Sequence, residues 1–220
     1  MKKIVILGAG ESGKGSAILA RKNSYEVFVS DNGLIDTETK KKFNGLNIDF
    51  EENSHELAKC TDIDFVIKSP GISDDLEIID FYRNNGIKVI SEIEFAFNFS
   101  KSKIIGITGS NGKTTTTTLV HKLISDANIS CSISGNIGNS FSKVCEDSVQ
   151  YSTVELSSFQ LDGVEKFRPH IAILTGISPD HLDRYKNYNA YIEAKFKITK
   201  NQSENDYLIY NSDCDETNKY

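Results

Sequence analysis

A short run of glycine, lysine and threonine in the middle of the chain has the composition of a phosphate-binding loop. It reads GSNGKTT over residues 109–115, after a segment typical of a strand and before one typical of a helix. In that setting backbone N–H groups and the helix N-terminus face the phosphates, Lys113 reaches their outer oxygens, and the Thr114 hydroxyl can ligate Mg²⁺. The predicted phosphate contacts are Gly109, Ser110, Asn111, Gly112, Lys113, Thr114 and Thr115.

Three further side chains could serve such a site. Glu155 ends an apolar strand, where a carboxylate is costly unless it is paired or binds a metal; the alternative is a solvent-facing strand end. His181 follows another predicted strand, at the edge where open α/β sheets hold ligands. Lys195 lies in the apolar stripe of a helix predicted over 188–200. The pattern alone favours a lysine whose amine reaches solvent, and the alternative is a desolvated amine with a lowered pKa.

A second glycine loop lies near the amino terminus. Gly8, Gly10 and Gly13 form a G-x-G-x-x-G pattern after the segment KIVIL, and Asp31 ends the next predicted strand. By itself this pattern favours a dinucleotide site. A single dinucleotide-binding enzyme does not normally restart with a lysine-bearing phosphate loop, so the two loops indicate two domains.

The elements that must position these residues alternate along the chain. Nine β-branched segments are predicted as strands: KIVIL, YEVFVS, DFVIKS, KVI, KIIGIT, CSIS, STVEL, IAILT and DYLIY. Helices are predicted over 13–23, 74–85, 114–127 and 187–200. This alternation predicts parallel α/β sheets. A polar segment at 97–103 favours a boundary near 98–102, and therefore domains at 1–98 and 99–220.

The composition excludes several classes of protein. With 38% hydrophobic and 25% charged residues the chain is ordinary for a soluble protein, and no apolar run approaches the length of a membrane span. The net charge of −6 argues against a broad nucleic-acid surface. Four scattered cysteines fit reduced thiols. We therefore expect a cytoplasmic protein with neither nucleic acid nor membrane as a partner.

Several motifs together resemble the Mur ligases of peptidoglycan synthesis. They are GSNGKTTTTTL, GNIG, ELSSFQL, SPDHLDRY and AKFKI in the second half, and the glycine loop, Asp31, SPGI and SEIE in the first. ELSSFQL with SPGI is similar to the D-glutamate-adding branch of the family. The resemblance covers essentially all 220 residues.

The resemblance implies a fold and a reaction. The fold is α/β: a Rossmann-like parallel-sheet domain that binds the UDP end of a substrate, then the first part of a P-loop central domain. The reaction is ATP-dependent amide formation through an acyl phosphate. The implied partners are small molecules, UDP-N-acetylmuramoyl-L-alanine and D-glutamate, with ATP and Mg²⁺ as cofactors, in a monomeric enzyme.

The resemblance also implies a role for each site residue. Lys113, Glu155, His181 and Lys195 form the catalytic set, and Thr114, Glu155, His181 and Lys195 support metal ions. Lys195 matches the family's carbamylated lysine, which reverses the preference drawn from the pattern alone. The implied substrate contacts are Ser12, Gly13, Asp31, Asn32, Ser69, Gly71, Asn136, Ser157 and His181.

Two departures from the family pattern and three alternatives bear on this interpretation. Gly176 stands where the family often has asparagine, and the chain ends at Tyr220, so we expect a fragment that is inactive alone. One alternative is another member of the superfamily, such as a folylpolyglutamate synthase, which lacks an amino-terminal glycine-loop domain. Another is an NAD-dependent oxidoreductase, which leaves the loop at 109–115 unexplained. The third is a non-catalytic nucleotide-binding module.

Overall fold

The computed structural model describes residues 1–180 and 184–219, and it contains two parallel β-sheets flanked by helices. Each sheet has five strands, and every neighbouring pair of strands runs parallel. Parallel neighbours need long crossover connections, which is why helices alternate with strands along the chain. The predicted fold class is confirmed.

The first sheet has the strand order β3-β2-β1-β4-β5. Its strands are β1 (Lys3–Leu7), β2 (Glu26–Asp31), β3 (Asp49–Glu52), β4 (Phe65–Lys68) and β5 (Lys88–Ser91). The helices are α1 (Glu11–Lys22), α2 (Thr37–Gly45), α3 (Glu77–Asn84) and α4 (Glu92–Phe97). The order reverses between β1 and β4, and this reversal leaves a crevice beyond their carboxyl ends.

The second sheet has the strand order β10-β9-β6-β8-β7. Its strands are β6 (Lys103–Thr108), β7 (Cys131–Gly135), β8 (Tyr151–Glu155), β9 (Ile171–Leu174) and β10 (Tyr207–Tyr210). The helices are α5 (Lys113–Asp126), α6 (Phe141–Val144), α7 (Ser158–Asp162), α8 (Tyr188–Phe196) and α9 (Asp215–Asn218). A 3₁₀ turn, Lys197–Thr199, continues α8. Among the described helices none has both the length and the apolar character needed to cross a bilayer.

The nine predicted strand segments all contain strands, but β3 was not predicted. Its sequence, DFEE, is polar because the strand lies at the edge of the sheet, where only Glu51 is buried. The four predicted helices match α1, α3, α5 and α8, and the short helices between them were also missed. Such helices are fixed by packing and capping rather than by a long apolar period.

The two sheets share a hydrophobic core and a buried carboxylate clamp. Phe97 of the first half packs edge-on against Phe167 of the second, with ring centroids 5.6 Å apart. The Glu94 carboxylate accepts hydrogen bonds from three successive backbone N–H groups, those of residues 165, 166 and 167, at 2.9–3.0 Å. Glu94 is only 3% exposed. The domain boundary near 98–102 stays a prediction.

A second carboxyl group, that of Glu92, is buried between the sheets. One of its oxygens accepts a hydrogen bond from the backbone N–H of Ser142 at 2.5 Å. The other oxygen is buried and has no hydrogen-bond partner within the described part of the chain. Burial raises the pKa of Glu92 to about 7, and the nearby Glu11 charge acts in the same direction.

This raised pKa predicts a pH-dependent stability. The folded protein holds a proton on Glu92 that the unfolded chain releases near pH 4.5, so the free energy of unfolding falls as the pH rises towards 7. Glu92→Gln removes this titration. Relative to wild type, the variant should gain about 2–3 kcal/mol between pH 5 and pH 8, measured by urea unfolding.

Glu204→Gln, at an exposed position before β10, serves as the control and should follow the wild-type profile. Parallel pH profiles for wild type and Glu92→Gln would contradict the assignment of the proton to Glu92.

Candidate functional site

The glycine loop of the first sheet turns directly from β1 into α1. Gly8 has φ +91°, a backbone conformation that residues with a side chain rarely adopt. A Cβ at Gly13 would lie 1.7 Å from the Gly8 carbonyl oxygen, so the first turn of α1 rests on the loop itself. The amino end of α1 carries no side-chain cap, and its N–H groups are therefore available to an anion.

This loop lines a cavity of about 320 Å³ beyond the carboxyl ends of β1 and β4. Four of the predicted substrate contacts lie in its wall: Ser12, Asp31, Ser69 and Gly71. Gly13 is buried behind it. Asn32 instead lines a different cavity, together with Asn53 and His55.

Asp31 fixes the glycine loop. One carboxylate oxygen accepts a hydrogen bond from the Ala9 N–H at 2.6 Å, and the other accepts one from the Gly33 N–H at 2.7 Å. The acid therefore holds β1's loop against the end of β2, a role that its position at the end of the second predicted strand did not predict.

The phosphate loop of the second sheet is hydrogen-bonded to the residues that follow β9. Gly109 has φ +153°, and a Cβ there would lie 2.0 Å from the Thr175 hydroxyl oxygen. The Ser110 N–H donates to the Gly176 carbonyl at 2.8 Å, and the Thr175 hydroxyl donates to the Asn111 carbonyl at 2.6 Å. The neighbouring cavity, about 200 Å³, is lined by Asn111, Thr175 and Gly176 among others. Sequence reasoning missed Thr175, whose only signal was its place at a strand end.

Two lysine amines converge on this loop. Lys113 donates to the Gly109 and Ser110 carbonyls at 2.9 and 2.8 Å, and Lys195 donates to the same Gly109 carbonyl at 2.7 Å. The Lys195 amine lies 4.6 Å from the centroid of the Tyr191 ring. Lys195 is only 2% exposed. The solvent-reaching lysine favoured by the pattern alone is therefore wrong, because the side chain points towards the phosphate loop.

Burial lowers the pKa of Lys195 to about 7, and the positive charge of Lys113 adds to the effect, while Asp180 opposes it. An amine with this pKa is substantially neutral at physiological pH, and a neutral amine is a nucleophile. The Lys195 amine is therefore desolvated, whereas the Lys113 amine lies at the edge of the loop.

Glu155 ends β8 beside the phosphate loop and is 1% exposed. Its two oxygens accept hydrogen bonds from the Thr114 hydroxyl at 2.8 Å and from the Asn136 amide at 2.9 Å. No lysine or arginine side chain of the described residues forms an ion pair with it. A buried carboxylate that has only neutral donors, next to a hydroxyl, fits a cation-binding position.

The remaining predicted residues are placed as follows. Ser157 caps α7 in a capping box with Gln160, so its hydroxyl is engaged within the chain. His181 lies outside the described residues. Over residues 1–180 and 184–219 no cluster of three His, Cys, Asp or Glu side chains forms a metal site. Gly176 has φ +140°, a conformation that explains glycine at this position.

The fold and the site define a class of nucleotide-binding α/β protein with separate glycine loops on two parallel sheets. A family model described as the Mur ligase middle domain matches residues 107–220, and one described as the MurD N-terminal domain matches residues 3–78. The chain therefore belongs to the Mur ligase family, whose members are ATP-dependent, amide-bond-forming enzymes.

Curated relatives agree with this assignment. The chain is 54% identical over 214 residues to a UDP-N-acetylmuramoylalanine–D-glutamate ligase of Christiangramia forsetii, covering 96% of the chain and 48% of that protein. A protein of the same name from Bacteroides fragilis is 46% identical, with coverage of 97% and 48%. The chain spans about half the length of the curated relatives it matches.

Solved structures agree on the fold. A Neisseria meningitides UDP-N-acetylmuramate:L-alanyl-gamma-D-glutamyl-meso-diaminopimelate ligase has a TM-score of 0.67 at 17% identity, covering 100% of this chain and 74% of that one. A Thermotoga maritima UDP-N-acetylmuramate-alanine ligase has a TM-score of 0.59 at 23% identity, with coverage of 100% and 51%.

Proposed function

We propose that this protein joins D-glutamate to UDP-N-acetylmuramoyl-L-alanine at the expense of ATP, in the cytoplasm and as a monomer, during peptidoglycan synthesis. The names of its relatives support the substrates. The observation that carries the proposal is the difference between the two loops. Two lysine amines donate to the backbone of the second loop, and a buried carboxylate accepts from its Thr114 hydroxyl. Among the described residues, no lysine amine donates to the backbone of the first loop. The first loop then holds the nucleotide substrate, and the second holds ATP.

The residues of the second loop act on the phosphates. Backbone N–H groups at the start of α5 bind phosphate oxygens, and the Lys113 ammonium neutralises their charge. The substrate's alanyl carboxylate attacks the terminal phosphorus of ATP, the bond to the β-phosphate oxygen breaks, and ADP and an acyl phosphate result. The amine of D-glutamate attacks its carbonyl carbon, loses a proton and displaces phosphate. Positioning and charge neutralisation supply most of the acceleration.

Thr114, Glu155, His181 and carbamylated Lys195 are the residues that would hold Mg²⁺. The fit of the described ones rests on the buried Glu155 carboxylate, which has neutral donors only, and on the adjoining Thr114 hydroxyl. Bound Mg²⁺ supplies positive charge against the phosphate oxygens. Asn136 keeps the Glu155 carboxylate oriented towards the loop.

The choice of ligand by the first sheet tests this function directly. UDP-N-acetylmuramoyl-L-alanine should raise the melting temperature of the chain, by an amount equivalent to about 2.7 kcal/mol at a hundredfold excess over Kd, whereas NAD should not. The measurement is a thermal shift series with both ligands. A comparable shift with NAD would sink the proposal in favour of an oxidoreductase.

Replacement of Lys113 tests the second loop. Lys113→Ala removes a charged donor to the phosphates and should weaken binding of Mg²⁺-ATP about tenfold or more, measured by titration with a fluorescent ATP analogue. Lys122→Ala is the matched control, because Lys122 lies on the same helix and pairs with Asp126 at the exposed surface. Equal ATP affinity for wild type and Lys113→Ala would place the ATP site elsewhere.

Carbamylation of Lys195 is expected because its amine is buried and largely neutral above pH 7. The Nζ atom bonds to the carbon of CO₂ and loses a proton, leaving a carbamate. In ¹³C-bicarbonate a carbamate resonance should appear and grow as the pH rises through about 7. It should vanish in Lys195→Ala and persist in Lys197→Ala, whose lysine pairs with Asp162. A wild-type spectrum without the resonance at pH 8 would refute the expectation.

A further inference from the structure

The cavity of the first sheet has an unfavourable charge for the ligand assigned to it. Among the described residues that line it, the charged ones are Glu11 and Asp31, both acidic. The diphosphate of a nucleotide sugar is itself anionic, and the amino end of α1 offers only about half a positive charge. A cation from another part of the molecule would offset this imbalance.

Nearby lysines of the first sheet are already engaged. Lys68 lies beneath the cavity's rim, but its amine binds the Asp74 carboxylate at 2.7 Å and the Ile72 carbonyl at 3.2 Å. Lys14 lies on α1, with its amine 3.6 Å from the Glu11 carboxylate, and lines a separate cavity between α1 and α6.

An arginine from the second half of the chain reaches the cavity's rim. Arg184 donates from Nη2 to the Ile72 carbonyl at 3.4 Å, across 112 positions of sequence. Ile72 is part of the cavity wall, together with Ser69 and Gly71. Ser69 contacts the glycine loop itself, since its hydroxyl lies 3.5 Å from the Gly8 carbonyl oxygen. The guanidinium therefore contacts the backbone of one residue of the cavity wall.

The guanidinium of Arg184 is held in place, and no carboxylate in the described part of the chain neutralises it. Its central carbon lies 4.2 Å from the centroid of the Phe159 ring, and Phe159 stacks on Tyr185 with an interplanar angle of 8°. No carboxylate of the described residues pairs with Arg184, and its side chain is exposed. Stacking and one carbonyl contact fix the plane of the group and leave most of its five donors directed to solvent.

We propose that Arg184 binds the diphosphate of the nucleotide substrate, so that the second half of the chain supplies the cation that the first half's cavity lacks. The assignment rests on the proposed function and deepens it. An arginine suits this position because its planar donors can bind two phosphate oxygens at once. The ligand class is a nucleoside diphosphate or its sugar conjugate, bound across the two halves of the chain.

The test compares UDP with uridine, which lacks the phosphates, by isothermal titration of the 220-residue chain. Arg184→Ala should weaken UDP binding about tenfold or more and change uridine binding less than twofold, because only the phosphates lose a partner. Lys186→Ala is the matched control: it removes a positive charge two residues away, at an exposed position, and should leave both affinities within twofold. Unchanged melting temperatures establish that the variants are folded.

Two results would overturn the assignment. One is an Arg184→Ala chain that binds UDP as tightly as wild type. The other is an equal loss of UDP and uridine affinity, which would show that the arginine shapes the cavity rather than binding phosphate. UDP binding by the wild-type chain is measured before any variant is compared. A wild-type chain that binds no UDP would contradict the proposed function itself.

Discussion

The carbonyl oxygen of Gly109 accepts hydrogen bonds from two lysine amines, and the chemistry available to the second sheet depends on this arrangement. Two ammonium groups that share one acceptor repel each other, and the more deeply buried one gives up its proton more readily. Burial and the Lys113 charge lower the pKa of Lys195 to about 7. The buried amine of the pair is therefore substantially neutral at physiological pH.

Several surrounding contacts hold the Gly109 carbonyl in its position between the two lysines. Gly109 must be glycine because the Thr175 hydroxyl occupies the place of a Cβ. The Tyr191 hydroxyl bonds to the Ser110 hydroxyl at 2.9 Å, and the same ring lies beside the Lys195 amine. The loop, the end of β9 and α8 therefore form one unit. A substitution at any of these contacts would therefore change the positions of the two lysines, although the substituted residue contacts no ligand.

Sequence reasoning could predict what depends on local pattern. The glycine loops, the lysine at the end of one of them and the parallel strands all follow from spacing and composition, and the loop at 109–115 lies between a strand and a helix as predicted. Lys195 shows the limit of pattern: its helical face was correct, but whether its amine reached solvent or the loop depended on Gly109, 86 positions away. Asp31 illustrates the same limit, because its partners are backbone N–H groups that no side-chain pattern reveals.

The contact of Arg184 with Ile72 was equally invisible in the sequence, since it joins two motifs that were assigned to different domains. The edge strand β3 was missed for a different reason: its sequence, DFEE, is polar and carries no apolar alternation. Sequence patterns therefore predict buried strands, long helices and glycine loops of known type. Contacts between distant loops require the three-dimensional arrangement.

The carboxylate of Glu94 has a consequence for the choice of substrate. It accepts hydrogen bonds from three consecutive backbone N–H groups across the two sheets, so a rotation of one sheet against the other would strain all three together. The distance between the two glycine loops is then a property of the protein rather than of its ligand. For the nucleotide substrate proposed above, the number of bonds between the diphosphate and the reactive carboxylate must match this fixed spacing, independently of the affinity of either end.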